Sequence, residues 1–170
     1  PLIMLHGNGE SHEIFARLSE LMSRYYRVIL MDSRGHGSSL MKEEAAGGDL
    51  TIPDMAADVV QVMEFLHVPR AVILGFSDGA NVALETASCY PGRVSAVVAV
   101  SGNALPRGMS AASLMEVKIK YALWRGLEKV PLPRGVRERT VKSRQLLGLM
   151  ARWPRLDKEK LSCIQAPVLI

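Results

Sequence analysis

The chain has 170 residues, 48% of them hydrophobic and 22% charged, with a formal net charge of +4. That length can bury one sizeable core, and that apolar share excludes wholesale disorder. The charge is too mild to call for nucleic acid, no apolar run reaches the roughly 18–20 residues of a membrane span, and Cys89 and Cys163 lack the spacing of a disulfide scaffold or zinc finger, which fits a reducing, cytoplasmic setting.

Strand and helix patterns alternate along the chain, which predicts an α/β fold with a mostly parallel sheet flanked by helices. Residues 2–5 form a short apolar strand that ends at the turn signal His6-Gly7-Asn8-Gly9. Residues 11–25 carry Ile14, Phe15, Leu18, Leu21 and Met22 at helical spacing. Residues 27–31 form the second strand, and the glycine-rich stretch 32–49 is a loop. Pro53 opens the next helix, whose stripe is Met55, Val59, Val62, Met63 and Leu66. Residues 71–74 are the third strand and 80–90 the helix after it. The valine-rich run 94–100 is a strand buried on both faces, and a fifth strand begins at 168.

The chain divides into a core over 1–103, a helical insert over 104–165, and the start of a further core strand over 166–170. The insert has helical patterns at 109–130 and 136–152, broken by Pro131 and Pro133. Leu114, Val117, Lys118 and Tyr121 mark its face to be buried, and Met109, Met115, Leu123 and Trp124 are read as mainly core-facing. Residues 104–160 hold 14 Lys/Arg against 5 Asp/Glu, so the insert is basic and the remainder net acidic. A solvated basic face is the default reading of such an excess. Binding of nucleic acid or an anionic membrane is the weaker one, and the insert lacks the aromatic platforms that grip single strands.

The segment that carries chemistry is Gly75-Phe76-Ser77-Asp78-Gly79. A β-branched strand runs directly into it and a helix-forming run leads directly out. A serine on such a bend is held in a strained conformation that lifts its hydroxyl clear of the sheet. Gly75 and Gly79 let strand and helix pass close together. The outgoing helix turns its first N–H groups toward the serine, where they would favour a developing oxyanion. A second donor is expected from Asn8, between Gly7 and Gly9 in the loop after the first strand. The sequence shows no metal-ligand spacing, no phosphate loop and no cofactor motif.

Taken with Asp32-Ser33-Arg34-Gly35-His36-Gly37-Ser38 and the closing Ala166-Pro167-Val168-Leu169-Ile170, these segments resemble the α/β-hydrolase superfamily in order and spacing. The resemblance implies strands three to seven of an eight-stranded sheet, with the insert as a cap over the site. It implies Ser77 as nucleophile and the Asn8 and Asp78 backbone N–H groups as oxyanion hole. It implies an esterase-like serine hydrolase acting on a small-molecule ester or acyl substrate. The departure is the triad. The family's histidine follows the nucleophile, whereas His6, His12, His36 and His67 all precede Ser77. The expectation is therefore a fragment whose acid and histidine lie beyond Ile170. His6 and His36 are expected to brace loops, Asp32 to cap or brace one, and His12 and His67 to lie on the surface. The alternative is a hydrolase-fold protein that binds a small ligand without catalysis.

Overall fold

The computed structural model describes residues 1–39, 48–105 and 108–170. Much of the loop read over 32–49 therefore lies outside the described residues. The strands are β1 (Leu2–Leu5), β2 (Val28–Met31), β3 (Ala71–Phe76), β4 (Val94–Val100) and β5 (Val168–Leu169). They form one sheet in the order β2-β1-β3-β4-β5, and every neighbouring pair is parallel. Helix α1 (Ala16–Met22) follows β1, α2 (Ile52–Phe65) follows β2, and α3 (Asp78–Cys89) follows β3. The insert between β4 and β5 contains α4 (Ala111–Leu127), α5 (Arg134–Arg152) and α6 (Lys158–Ser162).

The period-2 pattern of β1 fixes its two faces. Ile3 and Leu5 join Ile73, Val97, Val59, Met63, Ala83 and Ala87 in the larger core, under α2 and α3. Leu2 and Met4 join Phe15 on the other face, with Leu18, Met22, Leu30 and Leu74 packed beside them. Complete burial of one such aliphatic side chain is worth about 1.5–3 kcal/mol. Helix α2 starts where the sequence predicts: Thr51 accepts the Asp54 N–H with its side chain, and proline occupies the first turn.

Local structure departs from the sequence pattern in several places. The helix expected over 11–25 divides into a 3-10 turn, His12–Phe15, and the seven-residue α1. At the start of that turn Asp32 accepts the His12 backbone N–H at 2.7 Å. The insert's first helix is shorter at both ends, with Ser110 capping it through the Ser113 N–H. Helix α6 has no apolar periodicity to announce it; Asp157 caps it through the Lys160 N–H. Finally, Met115 and Leu123, expected to face the core, are 60% and 63% exposed. Helix α4 packs on α5 through its opposite face, where Val117 is buried and Tyr121 and Trp124 are half-buried.

The chain order places one crevice. From β1 the chain moves to one side of the sheet, to β2. From β3 it moves to the other side, to β4. The segments leaving the carboxyl ends of β1 and β3 therefore diverge, and ligands of open α/β sheets bind at such a switch point. The two segments are His6-Gly7-Asn8-Gly9 and Ser77-Asp78-Gly79.

Candidate functional site

Ser77 has φ 53° and ψ −119°, a left-handed backbone that a serine adopts only under strain. Neighbouring bonds enforce it. The Ser77 N–H donates to the Val100 carbonyl at 2.8 Å, extending the β3–β4 ladder. The Ser77 carbonyl then accepts the Ala80 and Asn81 N–H groups at 3.0 and 3.3 Å, so α3 begins at once. Close approach explains the flanking glycines. A Cβ on Gly75 would lie 2.2 Å from the Gly79 carbonyl oxygen, and one on Gly79 would lie 2.1 Å from that of Leu5. Either is well inside van der Waals contact.

The loop after β1 comes directly alongside. A Cβ built on Gly7 would lie 3.1 Å from the Ser77 Cβ. Ser77 is half-buried, as is Asn8. Among the described residues neither the Asn8 N–H nor the Asp78 N–H donates to a protein acceptor. The structure thus brings Ser77, Asn8, Asp78, Gly75 and Gly79 into one place. Both ends of the Asn8 side chain are bonded: its Nδ2 donates to the Leu146 carbonyl of α5 at 2.9 Å, and its Oδ1 lies 3.2 Å from His36 Nε2.

The histidines divide by burial. His6 is enclosed; its Nδ1 donates to the Gly7 carbonyl at 2.8 Å, and its Nε2 accepts the Ser33 N–H at 3.1 Å. His36 is also buried, with its ring 5.3 Å from that of His6. Its Nδ1 lies 3.0 Å from the Arg34 carbonyl, and burial holds its pKa below the usual value. Both His36 contacts are to acceptors, so the neutral ring donates to one of them. These rings brace the two loops, as expected. His67 is exposed, also as expected. His12 is not a free surface residue: its Nδ1 sits 2.9 Å from Asp32 Oδ1, with 42% of its side chain exposed. Among the described residues no histidine or carboxylate hydrogen-bonds the Ser77 hydroxyl.

Two carboxylates are perturbed in opposite directions. Burial raises the pKa of Asp32, but the N–H groups of Ser38 and His12 and the His12 ring outweigh it and bring the pKa down to about 2. Asp32 thus ties the loop after β2 to the turn after β1. Asp78 is 8% exposed, and burial pushes its pKa up. Its Oδ1 accepts Asn81 Nδ2 at 3.1 Å, while its Oδ2 is buried without a partner among the described residues. Asn81 also accepts the Asn103 N–H at 2.9 Å, so the bend at Ser77 is bonded to the turn that begins the insert. The sequence offered no signal for this Asp78–Asn81–Asn103 chain, because its members are 22 residues apart at the widest bond.

Helix α5 lies against the same loops. Gln145 donates to the Gly48 carbonyl at 2.8 Å. Arg144, nearly enclosed, pairs with Asp49 and with Glu128. Arg152 pairs with Asp49 at 2.5 Å and stacks over the Tyr121 ring at 5.2 Å. A groove of about 650 Å³ runs elsewhere, between edge strand β2 and α2, lined by Ile29, Met31, Val62 and Phe65 among others and not by Ser77. No helix among the described residues is long and apolar enough to cross a membrane.

Comparison with known proteins agrees with this architecture. Residues 1–131 match the family described as alpha/beta hydrolase fold. The chain is 31% identical over 147 residues to the magnesium-chelatase 30 kDa subunit of Rhodobacter capsulatus, covering 86% of this chain and 48% of that protein. It is 35% identical over 98 residues to a serine hydrolase-like protein of Danio rerio, covering 58% of this chain and 29% of that one. The chain thus spans less than half the length of these curated relatives. An esterase structure from Exiguobacterium antarcticum superposes with a TM-score of 0.73 at 20% identity, over 99% of this chain and 71% of that one. The parallel sheet in this strand order, the bend at Ser77 and the match over residues 1–131 place the chain in the α/β hydrolase fold family.

Proposed function

We propose that the protein is a serine hydrolase that cleaves a carboxylic ester or a close acyl relative, with Ser77 as nucleophile. The observation that carries this reading is the left-handed backbone of Ser77 at the crevice between β1 and β3. A non-glycine residue held there costs about 1–3 kcal/mol, which packing elsewhere must offset. Such strain is stored where a side chain has to be presented. The name of the Danio rerio relative, serine hydrolase-like, supports the same class.

In the proposed mechanism the Ser77 hydroxyl attacks the substrate carbonyl. The carbonyl oxygen becomes an oxyanion and accepts the Asn8 and Asp78 N–H groups, at the positive end of the α3 dipole. A base takes the Ser77 proton during attack and returns it to the departing alkoxide, so that collapse expels the alcohol and leaves an acyl-enzyme, which water cleaves to the carboxylic acid and free Ser77. A serine hydroxyl needs a base to attack at neutral pH. His6 and His36 are bonded into their loops and are not assigned that role. The insert serves as a cap, with α5 held over the Asn8 loop.

In the native enzyme Ser77→Ala should lower ester turnover by several orders of magnitude, leaving at most the ~10³–10⁴-fold over water that an oxyanion hole and binding supply. Turnover near the wild-type rate would end the reading. A second reading is a hydrolase-fold protein that binds a small ligand without turning it over. It is favoured by the Rhodobacter capsulatus relative, named as a subunit of another enzyme. A fluorophosphonate ester separates the two: covalent labelling at Ser77 supports the hydrolase, while reversible ligand binding without labelling supports the alternative.

A further inference from the structure

Helix α4 carries two apolar faces, and α5 covers only one. The covered face holds Val117, with Leu114, Tyr121 and Trp124 half-buried beside it. On the other side Met115, Ile119, Leu123 and Leu127 recur every fourth residue, and they are 60%, 54%, 63% and 43% exposed. At 100° per residue these four span about 120° of the helix surface. Val130, just past the helix end, continues the strip at 52% exposure. An ordinary solvated helix puts polar residues there, so this strip is a surface built to be covered.

The border of the strip indicates what covers it. Lys118 and Arg125 lie on one edge of the helix and Lys129 just past its end, all exposed, and none forms an ion pair among the described residues. One acid interrupts the strip: Glu116 lies between Leu123 and Leu127, and Lys120 on the other edge pairs with it at 2.5 Å. Residues 104–160 carry 14 Lys/Arg against 5 Asp/Glu. A second copy of the chain would bring the same positive border against its own, which opposes self-association through this strip. An anionic lipid surface matches both features: its headgroups attract the basic edge, and its acyl boundary accepts the apolar strip. The strip lies along the helix, so α4 would rest in the interface plane without spanning it.

We infer that the exposed face of α4, through Met115, Ile119, Leu123 and Leu127 bordered by Lys118, Arg125 and Lys129, docks the protein on an anionic phospholipid surface. This docking is independent of any role for Ser77. It is tested by flotation of the chain with vesicles of phosphatidylcholine, with and without phosphatidylglycerol, at low and at high salt. The chain should bind the phosphatidylglycerol vesicles, and binding should fall as salt screens the headgroups. Ile119→Asp combined with Leu123→Asp should cut the partition by at least about tenfold. Lys118→Glu, Arg125→Glu and Lys129→Glu together should abolish the preference for phosphatidylglycerol. All five side chains are exposed, so the variants should keep the wild-type circular dichroism. Equal binding to both vesicle types would overturn the inference, as would partition unchanged by either set of substitutions. So would a dimer that Leu123→Asp dissociates in a chain that ignores vesicles, which would assign the strip to a second copy.

Discussion

The Asn8 side-chain amide donates to the Leu146 carbonyl at 2.9 Å, across 138 residues of sequence. It is a bond between the loop facing Ser77 and the insert helix above it. The same side chain touches the His36 ring through its other end. One residue therefore sets the loop's position relative to both the insert and the buried histidines.

Asn8→Ala removes both contacts and frees the loop from α5 and from the His36 ring. The expected cost is about 1–2 kcal/mol of stability, by urea unfolding. Under the proposed mechanism, catalysis should fall further than stability, because the Asn8 N–H must stay aimed at the oxyanion. A loss of kcat with little change in KM is the expected pattern in the native enzyme.

Gly79→Ala should be among the most damaging single-methyl additions. The added carbon would fall 2.1 Å from the Leu5 carbonyl oxygen, and backbone on both sides prevents relief. Overpacking of this kind typically costs about 1–3 kcal/mol. Gly92→Ala is the control, since an added Cβ there meets nothing within 4 Å. Thermal unfolding of the two variants should separate them clearly.

Asp32 makes the protein sensitive to acid. Its native pKa of about 2 lies below the ordinary value of 3.8. Its contribution is therefore present above the ordinary value and is lost as pH falls toward 2. Asp32→Asn should cost about 1–2 kcal/mol at neutral pH, and the gap to wild type should close between pH 4 and 2. Urea unfolding of both proteins across that window checks it.

Asp78 acts with the opposite sign. Burial raises its pKa, so the native state tolerates the neutral acid and resists the carboxylate. Stability is full below the ordinary value and is lost as pH rises through the raised one. Asp78→Asn keeps an oxygen for Asn81 Nδ2 and carries no charge. It should match wild type in acid and exceed it at neutral pH by up to about 1 kcal/mol. A variant less stable than wild type at neutral pH would show that the Asp78 charge has a partner the native state needs.

The alternation of strands and helices and the glycine–serine bend are legible in the sequence because they depend on local chemistry. The strand Leu2–Leu5 follows from a short apolar run that ends at a glycine turn, while its two faces, both buried, are told apart only by what packs on them. The bend follows from glycines that only close approach requires. The start of α2 is likewise legible, because Pro53 sits in its first turn. Contacts between distant segments are not. Nothing near His12 announces that Asp32, 20 residues further on, will take its N–H. Nothing in the insert announces that α5 will reach Asn8 through Leu146, or that Arg144 will meet Asp49. The apolar spacing of α4 shows that it has faces to bury, but not how many it buries. Helical periodicity records which residues share a side of a helix, whereas the neighbour that covers that side is chosen by the packing of the whole chain. Met115 and Leu123 were free to face the core or the solvent until α5 took the opposite side.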